Sequence, residues 1–156
     1  MSTGIDGAGL AEALDAGERA AAVGAHRGHW TAGGEIAARI RWARQWMRAL
    51  DADAVPDAVS QVIGTSVASQ ESVVAAFALA EVLGDDPAAA LRLAAELGGD
   101  TDTVAAICGA MLGAVHGVGG IPADLVDTVL RVNRLDLGPL VDELLALRHR
   151  TVWRSR

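Results

Sequence analysis

The stretch "LGGDTDTVAAICGAMLGAVHG" at residues 97–117 decides the fold, because it places the least polar segment of the chain directly behind a cluster of acids and threonines. Asp100 follows two glycines, at the point where a helix start needs an oxygen acceptor for its unpaired amide groups. Small and apolar residues then continue to His116, whose side chain can bind the free carbonyl groups of a helix end. This pattern predicts a central helix buried inside a bundle of other helices.

The composition favours an all-α fold of one domain. Of the 156 residues, 51% are hydrophobic, with no tyrosine and one phenylalanine. Cores made from small side chains suit closely packed helices better than sheets, which favour β-branched and aromatic residues. A chain of this length buries about two-thirds of its unfolded surface in one core. We therefore expect residues 1–156 to form a single helical domain.

Charge and cysteine content bear on partners and location. The formal net charge is −7 and every basic residue is an arginine, which disfavours nucleic acid as a partner. The uncharged stretch 103–123 is about long enough to cross a membrane, but "HGVGGIP" breaks the helix, so no membrane span is expected. The N-terminal sequence lacks the basic start and apolar run of a signal peptide, and the single Cys108 favours a reducing compartment. These features predict a cytoplasmic protein.

Apolar residues recur at helical spacing along most of the chain. Besides the helix that ends at His116, helices are predicted at residues 8–23, 35–50, 53–62, 70–83, 87–95, 123–132 and 137–149. The helix at 35–50 carries a group of arginines that we expect to form a solvated face. These arginines are Arg39, Arg41, Arg44 and Arg48.

Bulky and small side chains both predict tight packing. Trp30, Trp42 and Trp46 are expected to wedge the first helices together, with stacking on an adenine as the alternative. Gly109 and Gly113 lie on one strip of the central helix. A bulky residue at Gly113 is therefore expected to overpack the core.

The second acid of the opening stretch goes beyond the needs of a helix cap. Asp102 lies in the first turn beside Thr103, so its carboxylate and that of Asp100 can converge beyond the helix end. Carboxylate and hydroxyl oxygens are the ligands that magnesium and manganese prefer. The spacing is compatible with a metal site, and a plain helix cap is the alternative.

The opening stretch, followed by "IP", resembles the motif of the ADP-ribosylglycohydrolases, enzymes that remove ADP-ribose from modified proteins and include the dinitrogenase reductase-activating glycohydrolase. The upstream segment "IGTSVASQESVVAAFALAEVLGDDPAAALRLAAEL" is similar to the loop, helix, break and helix of that family, and "GHWTAGGEIAARIRWA" to the segment before it. The resemblance covers most of the chain. It implies an all-α orthogonal helical bundle with two magnesium or manganese ions in a cleft.

The resemblance also implies roles for particular residues. Asp100 and Asp102 would be metal ligands, with Asp102 the bridge between the ions, and Thr103 would add its hydroxyl. The substrate-binding residues would be Gly64, Thr65, Ser66, Ser69 and Gly99, and an ordinary helix-capping turn is the alternative for the loop at residues 64–69. The implied reaction is metal-assisted hydrolysis of the bond that joins ADP-ribose to a protein side chain, with no further catalytic residue assigned. The partners would be an ADP-ribosylated protein or an ADP-ribose-type small molecule.

The sequence departs from the family pattern in one respect. It lacks the glycine-rich opening helix and the "TDD"-type motif that supply the remaining metal ligands, so it resembles the C-terminal half of the family. We therefore expect a truncated enzyme with half of the dimetal site, weak metal affinity and little activity by itself. A partner chain or a homo-oligomer would cover the missing half. The alternative is a non-catalytic helical remnant or interaction module of the same family.

Overall fold

The computed structural model describes the backbone of residues 2–30 and 32–154, and the side chains of residues 4–30 and 32–148. Within these ranges the chain forms helices and turns and no strand, so the prediction of an all-α fold is confirmed. The α-helices are α1 (Ser2–Ile5), α2 (Leu10–Gly24), α3 (Ile36–Met47), α4 (Val55–Asp57), α5 (Ser69–Leu83), α6 (Pro87–Glu96), α7 (Thr101–His116), α8 (Ala123–Asn133) and α9 (Gly138–Arg154).

The chain folds into two compact units, Met1–Ile121 and Pro122–Arg156. In the first unit, α5 packs against α3, α6 and α7, and α2 packs against α3. The side chains from Val74 to Ala80 on α5 are buried, and most of them are alanines, which lets the neighbouring helices approach closely. The expected single domain stays a prediction.

The second unit contains α8 and α9. Helix α8 ends at Asn133, and the left-handed backbone of the next residue, Arg134 (φ 55°), stops the helix before α9 begins. Among the described residues of the whole chain, no helix combines the length and the apolarity needed to cross a membrane.

Two helices of the first unit begin at acidic caps. The Glu35 carboxylate accepts the backbone N–H groups of Ala37 at 3.0 Å and Ala38 at 2.6 Å, so α3 starts one residue later than predicted. The Asp86 carboxylate accepts the N–H of Ala89 at 3.0 Å, and Pro87 occupies the first position of α6, where the missing N–H costs nothing. Both caps satisfy amide groups that would otherwise lack a partner.

The short helix expected at residues 53–62 is irregular. A 3-10 turn at Ala52–Ala54 leads into α4, and the chain then widens into a π-helix at Ala58–Ile63. This segment ends at Gly64, which has a φ of 90°. A residue with a Cβ rarely adopts that angle, so Gly64 is where the helical run stops and the next loop begins.

The expectation of a solvated arginine face on α3 is wrong for Arg44, which is 3% exposed. Its Nη1 lies 2.8 Å from a carboxylate oxygen of Asp15 on α2, and its Nε lies 2.6 Å from a carboxylate oxygen of Glu81 on α5. Arg48 binds the other oxygen of Glu81 at 2.6 Å. The charge of Arg44 is therefore compensated inside the bundle by neighbours that the pattern of α3 alone does not reveal.

Two expectations about packing are corrected. Trp42 and Trp46 stack on each other along α3, with ring centroids 5.3 Å apart, whereas Trp30 is 88% exposed and does not wedge the helices. A Cβ added at Gly113 would meet no atom within 4 Å, so the predicted overpacking there is wrong. The close approach is at Gly109, where a Cβ would lie 3.1 Å from Leu91 Cδ2.

Candidate metal and substrate site

The start of α7 presents a carboxylate that does not cap the helix. Asp100 occupies the N-cap position, but its side chain accepts no capping hydrogen bond. Its backbone N–H instead donates to the carbonyl oxygen of Thr65 at 2.7 Å. The helix-cap alternative therefore does not account for the Asp100 carboxylate.

The Asp102 carboxylate lies next to that of Asp100 and is exposed to solvent. A hydrogen bond with the Asp100 carboxyl, followed by one from the backbone N–H of Thr103, lowers the pKa of Asp102. When both carboxyl groups are ionised, they repel each other. A divalent cation bound by both carboxylates would offset that repulsion.

The segment from Gly64 to Ala68 lies against this acidic helix start. A Cβ at Gly99 would clash with the carbonyl and hydroxyl oxygens of Thr65, so the two backbones touch at a position that only glycine permits. Gly99 also has a φ of 76°, which glycine adopts without strain. We call residues 64–68 the substrate loop, after the substrate-binding role that the resemblance implies for Gly64, Thr65 and Ser66. Thr65 of this loop contacts both Gly99 and Asp100.

Arg39 of α3 binds the backbone on both sides of the substrate loop. Its Nη2 donates to the carbonyl oxygen of Ile63 at 2.9 Å, and its Nε donates to the carbonyl oxygen of Gln70 at 2.8 Å. One guanidinium group therefore binds the backbone on both sides of the loop, at Ile63 and at Gln70. Because the guanidinium fork is planar and rigid, it holds these two carbonyl groups at a fixed separation.

Glu71, in the first turn of α5, binds the backbone of the loop. Its Oε2 accepts the backbone N–H of Ser66 at 3.0 Å. Hydrogen bonds from the Ser66 hydroxyl and from this N–H lower the pKa of Glu71. A side chain at Gly64 would collide with the same carboxylate, so the Glu71 carboxylate occupies the space beside Gly64.

The structure brings most of the predicted site residues together. Thr65, Gly99 and Asp100 are in direct contact, and Asp102 adjoins Asp100. Ser69 begins α5 after the loop. It lines a cavity with Gln70, and Thr65, Gly99 and Asp100 do not line that cavity.

Sequence reasoning missed Arg39 and Glu71. An acid in the first turn of a helix is a local signal for Glu71. Arg39 has no such signal, because its bonds reach residues on other elements.

The oxygen donors at the start of α7 fit part of the ligand set of a hard divalent cation. Asp100 and Asp102 supply two adjacent carboxylates, and Thr103 supplies a hydroxyl in the same helical turn. Magnesium in particular binds through one or two carboxylates and keeps several waters. No group of three or more His, Cys, Asp or Glu side chains suited to a metal occurs among the described residues.

Comparison with known protein families identifies the family of the chain. The family model described as ADP-ribosylglycohydrolase matches residues 2–153, nearly the whole chain. The chain belongs to the ADP-ribosylglycohydrolase family. The resemblance of residues 97–117 to this family is thereby confirmed, as is the all-α fold that the resemblance implied.

This ADP-ribosylglycohydrolase family member also has a curated relative in Escherichia coli (strain K12), the uncharacterized protein YegU. The two are 34% identical over 137 residues, which is 87% of this chain and 41% of YegU. The chain thus spans about two-fifths of the length of that relative. No solved structure is significantly similar to the chain. The roles assigned above to the individual site residues stay predictions.

Proposed function

We propose that this chain of the ADP-ribosylglycohydrolase family carries part of a magnesium or manganese site that serves the hydrolytic removal of ADP-ribose from modified proteins. In this proposal Asp100 and Asp102 bind the cation through their carboxylates, and Thr103 adds its hydroxyl. The observation that carries it is the pair of adjacent carboxylates at the start of α7, which the backbone of Asp100 bonds to the substrate loop.

The loop is suited to the anionic part of ADP-ribose. It has small side chains and leads into the N-terminus of the 15-residue helix α5, where unpaired N–H groups and the helix dipole favour a pyrophosphate. Arg39 and Glu71 hold the loop in one conformation, so its backbone is preorganised before a ligand arrives. Substrate binding would therefore require little rearrangement.

The overall reaction is a hydrolysis. Water forms a bond to the anomeric carbon of the ribose, the bond from that carbon to the protein side chain breaks, and the side chain leaves with a proton. A divalent cation, when bound, would supply charge stabilisation and a bound water of lowered pKa. The contribution of this chain is to bind the ribose and pyrophosphate and to hold two carboxylates beside them.

A second function is favoured by the small number of ligands. Since the described residues contain no group of three His, Cys, Asp or Glu side chains suited to a metal, a non-catalytic interaction module on the same scaffold is the competing proposal. A partner chain or a second copy that supplies further ligands would restore the first proposal. The two proposals differ in whether Asp102 affects the binding of a metal.

Calorimetric titration with manganese distinguishes the two proposals. We expect the wild-type chain to bind Mn²⁺ weakly, and Asp102→Ala to lose this binding. Asp85→Ala is the matched control, because Asp85 is an exposed acid in the turn between α5 and α6, away from the acidic start of α7. Equal manganese binding by wild type and Asp102→Ala would contradict the proposed site, and tight two-ion binding would contradict the expectation of a partial one.

A further inference from the structure

The second unit of the chain has many apolar side chains but no core. Among its described side chains, residues 122–148, none is buried. Ten of its leucines and valines are each between 38% and 65% exposed. Short helices are marginal in water unless an apolar face packs against another element. An exposed apolar surface of this extent therefore marks an interaction site.

Helix α8 has one apolar face and one charged face. Leu125, Val129 and Val132 follow each other at spacings of four and three residues, and each is at least 38% exposed. By the helical repeat, Asp127 and Arg131 lie on the opposite side of the helix from Val129. The apolar face of α8 is therefore free of charge and suited to a partner helix.

Helix α9 carries a strip of leucines. Leu137 directly precedes the helix, and Leu140, Leu144 and Leu147 follow it at spacings of three, four and three residues. We call these four residues the leucine strip. Val141 lies beside the strip, and all five side chains are 45–55% exposed. Spacing of this kind is typical of helices that pair along their length, and the added valine gives the wider apolar face found in helix bundles.

The two helices of this unit do not cover each other. Four residues, 134–137, join α8 to α9, a connection typical of two helices that fold side by side. The apolar faces of both helices nevertheless remain exposed. Two copies of this unit would bring together four such faces, which is the number that encloses the core of a four-helix bundle. Because the copies are identical, a two-fold axis would relate them.

The charges at the ends of the leucine strip favour a second copy of the chain as the partner. Asp136 comes one residue before the strip, and Arg148 comes one residue after it. In an antiparallel pair centred on the strip, Leu140 meets Leu144 of the second copy, and Asp136 lies opposite Arg148 of the second copy. The two-fold axis produces this opposite-charge contact twice. In a parallel pair, Asp136 and Arg148 would each face a like charge instead.

We infer that two copies of the chain associate through their second units, with α8 and α9 of both copies in one four-helix bundle and the two α9 helices antiparallel. The inference goes beyond the proposed function and does not rest on it, because it uses no residue of the candidate metal site.

Sedimentation velocity of the full chain tests the inference. We expect the wild-type chain to be a dimer at micromolar concentration and Leu144→Glu to be a monomer, because the new carboxylate would lie in the core of the bundle. Val118→Glu is the matched control, since it adds the same charge at another exposed apolar side chain, in the first unit, and should stay dimeric. Slow labelling of the buried Cys108 shows that the first unit of each variant is folded.

Two results of this experiment would overturn the inference. The first is a wild-type chain that stays monomeric, which would leave the apolar faces of α8 and α9 to a different protein. The second is a dimer that persists in Leu144→Glu. Asp102→Ala should dimerise like wild type, so a loss of manganese binding and a loss of the dimer are separate results.

A charge exchange tests the antiparallel arrangement. Asp136→Arg or Arg148→Asp alone should raise the dissociation constant of the dimer at least about tenfold, because each creates two like-charge contacts. The two substitutions combined should restore most of the affinity. A double variant that dimerises no better than either single variant would rule out the antiparallel pair.

Glu143 provides an independent check of the same arrangement. It lies beside the leucine strip near its midpoint, so an antiparallel pair places the Glu143 side chains of the two copies close together. Glu143→Gln should therefore tighten the dimer. A weaker dimer would indicate that Glu143 pairs with an arginine of a parallel helix, and would overturn the antiparallel arrangement.

Discussion

The carbonyl oxygen of Thr65 accepts the backbone N–H of Asp100 at 2.7 Å, and this bond joins the substrate loop to the acidic start of α7. The two residues lie on elements separated by α5 and α6 in the sequence. The bond therefore fixes the position of the loop relative to the Asp100 and Asp102 carboxylates. Any change that separates Thr65 from Asp100 should affect both the loop and the candidate metal site.

Gly99→Ala should disrupt this contact, and Gly98→Ala provides a matched control. Both glycines have a φ of 76°, so either alanine incurs a backbone cost of about 1 kcal/mol. Only at Gly99 would the new Cβ clash with Thr65, while at Gly98 it would meet nothing within 4 Å. We expect Gly99→Ala to lower the free energy of unfolding in urea by at least about 1 kcal/mol more than Gly98→Ala. Equal losses in the two variants would show that the contact contributes nothing.

Arg39→Ala should release the substrate loop. It removes both hydrogen bonds that hold the carbonyls of Ile63 and Gln70, at a cost of about 2 kcal/mol. Hydrogen exchange should speed up at the amides of the loop. Arg41→Ala, which removes only an ion pair between the exposed Arg41 and Glu18, should cost less than about 1 kcal/mol and leave loop exchange unchanged. If hydrogen exchange in the loop is unchanged in Arg39→Ala, the two hydrogen bonds of Arg39 are not needed to hold the loop.

Glu81→Gln should destabilise the bundle strongly because it leaves Arg44 without its partner on α5. Glu81 is 10% exposed and binds both Arg44 and Arg48 at 2.6 Å. Removing one member of a buried ion pair costs about 3 kcal/mol. Asp15→Asn, which removes the more exposed partner of Arg44, should cost less. Urea denaturation of both variants at pH 7 measures the difference, and a cost below about 1 kcal/mol for Glu81→Gln would contradict it.

The ion pair between Glu81 and Arg44 also predicts how the stability of the fold depends on pH. Burial acts to raise the pKa of Glu81, but hydrogen bonds from Arg48 and Arg44 outweigh it and lower the pKa below its ordinary value of 4.5. The ion pair therefore contributes its full stability above that ordinary value, and the contribution is lost as pH falls through the lower pKa of the folded state. We expect the stability gap between wild type and Glu81→Gln to shrink below pH 4.5. A gap that stays constant to about pH 3 would argue against this titration.

Cys108 should be unreactive in the folded protein. Its side chain is fully buried in α7, and this burial raises the pKa of the thiol to about 12. At about pH 8 almost no thiolate is present and reagents cannot reach the sulfur, so labelling by a disulfide reagent should be slow. Labelling in guanidinium chloride, where the chain is unfolded, is the control and should be fast. Rapid labelling without denaturant would show that α7 is more open than the structure indicates.

Much of the fold follows from local features of the sequence. Apolar spacing predicts α2, α5 and α7 to within about two residues, since one amphipathic or apolar helix is recognisable from its own side chains. Pro87 and the glycines before Asp100 likewise predict where α6 and α7 begin. The "GGDTDT" stretch is specific enough to identify the family, which the match over residues 2–153 confirms.

The sequence by itself thus determined most of the helices, the family and the placement of both acids at the start of α7. The tertiary structure alone decided which side chains meet: Arg44 with Glu81, Arg39 with the carbonyls around the substrate loop, and Thr65 with Asp100. It also distinguished the exposed Trp30 from the stacked pair on α3. Helix periodicity and capping act over a few residues, whereas these contacts join residues far apart in the chain and depend on how the helices pack.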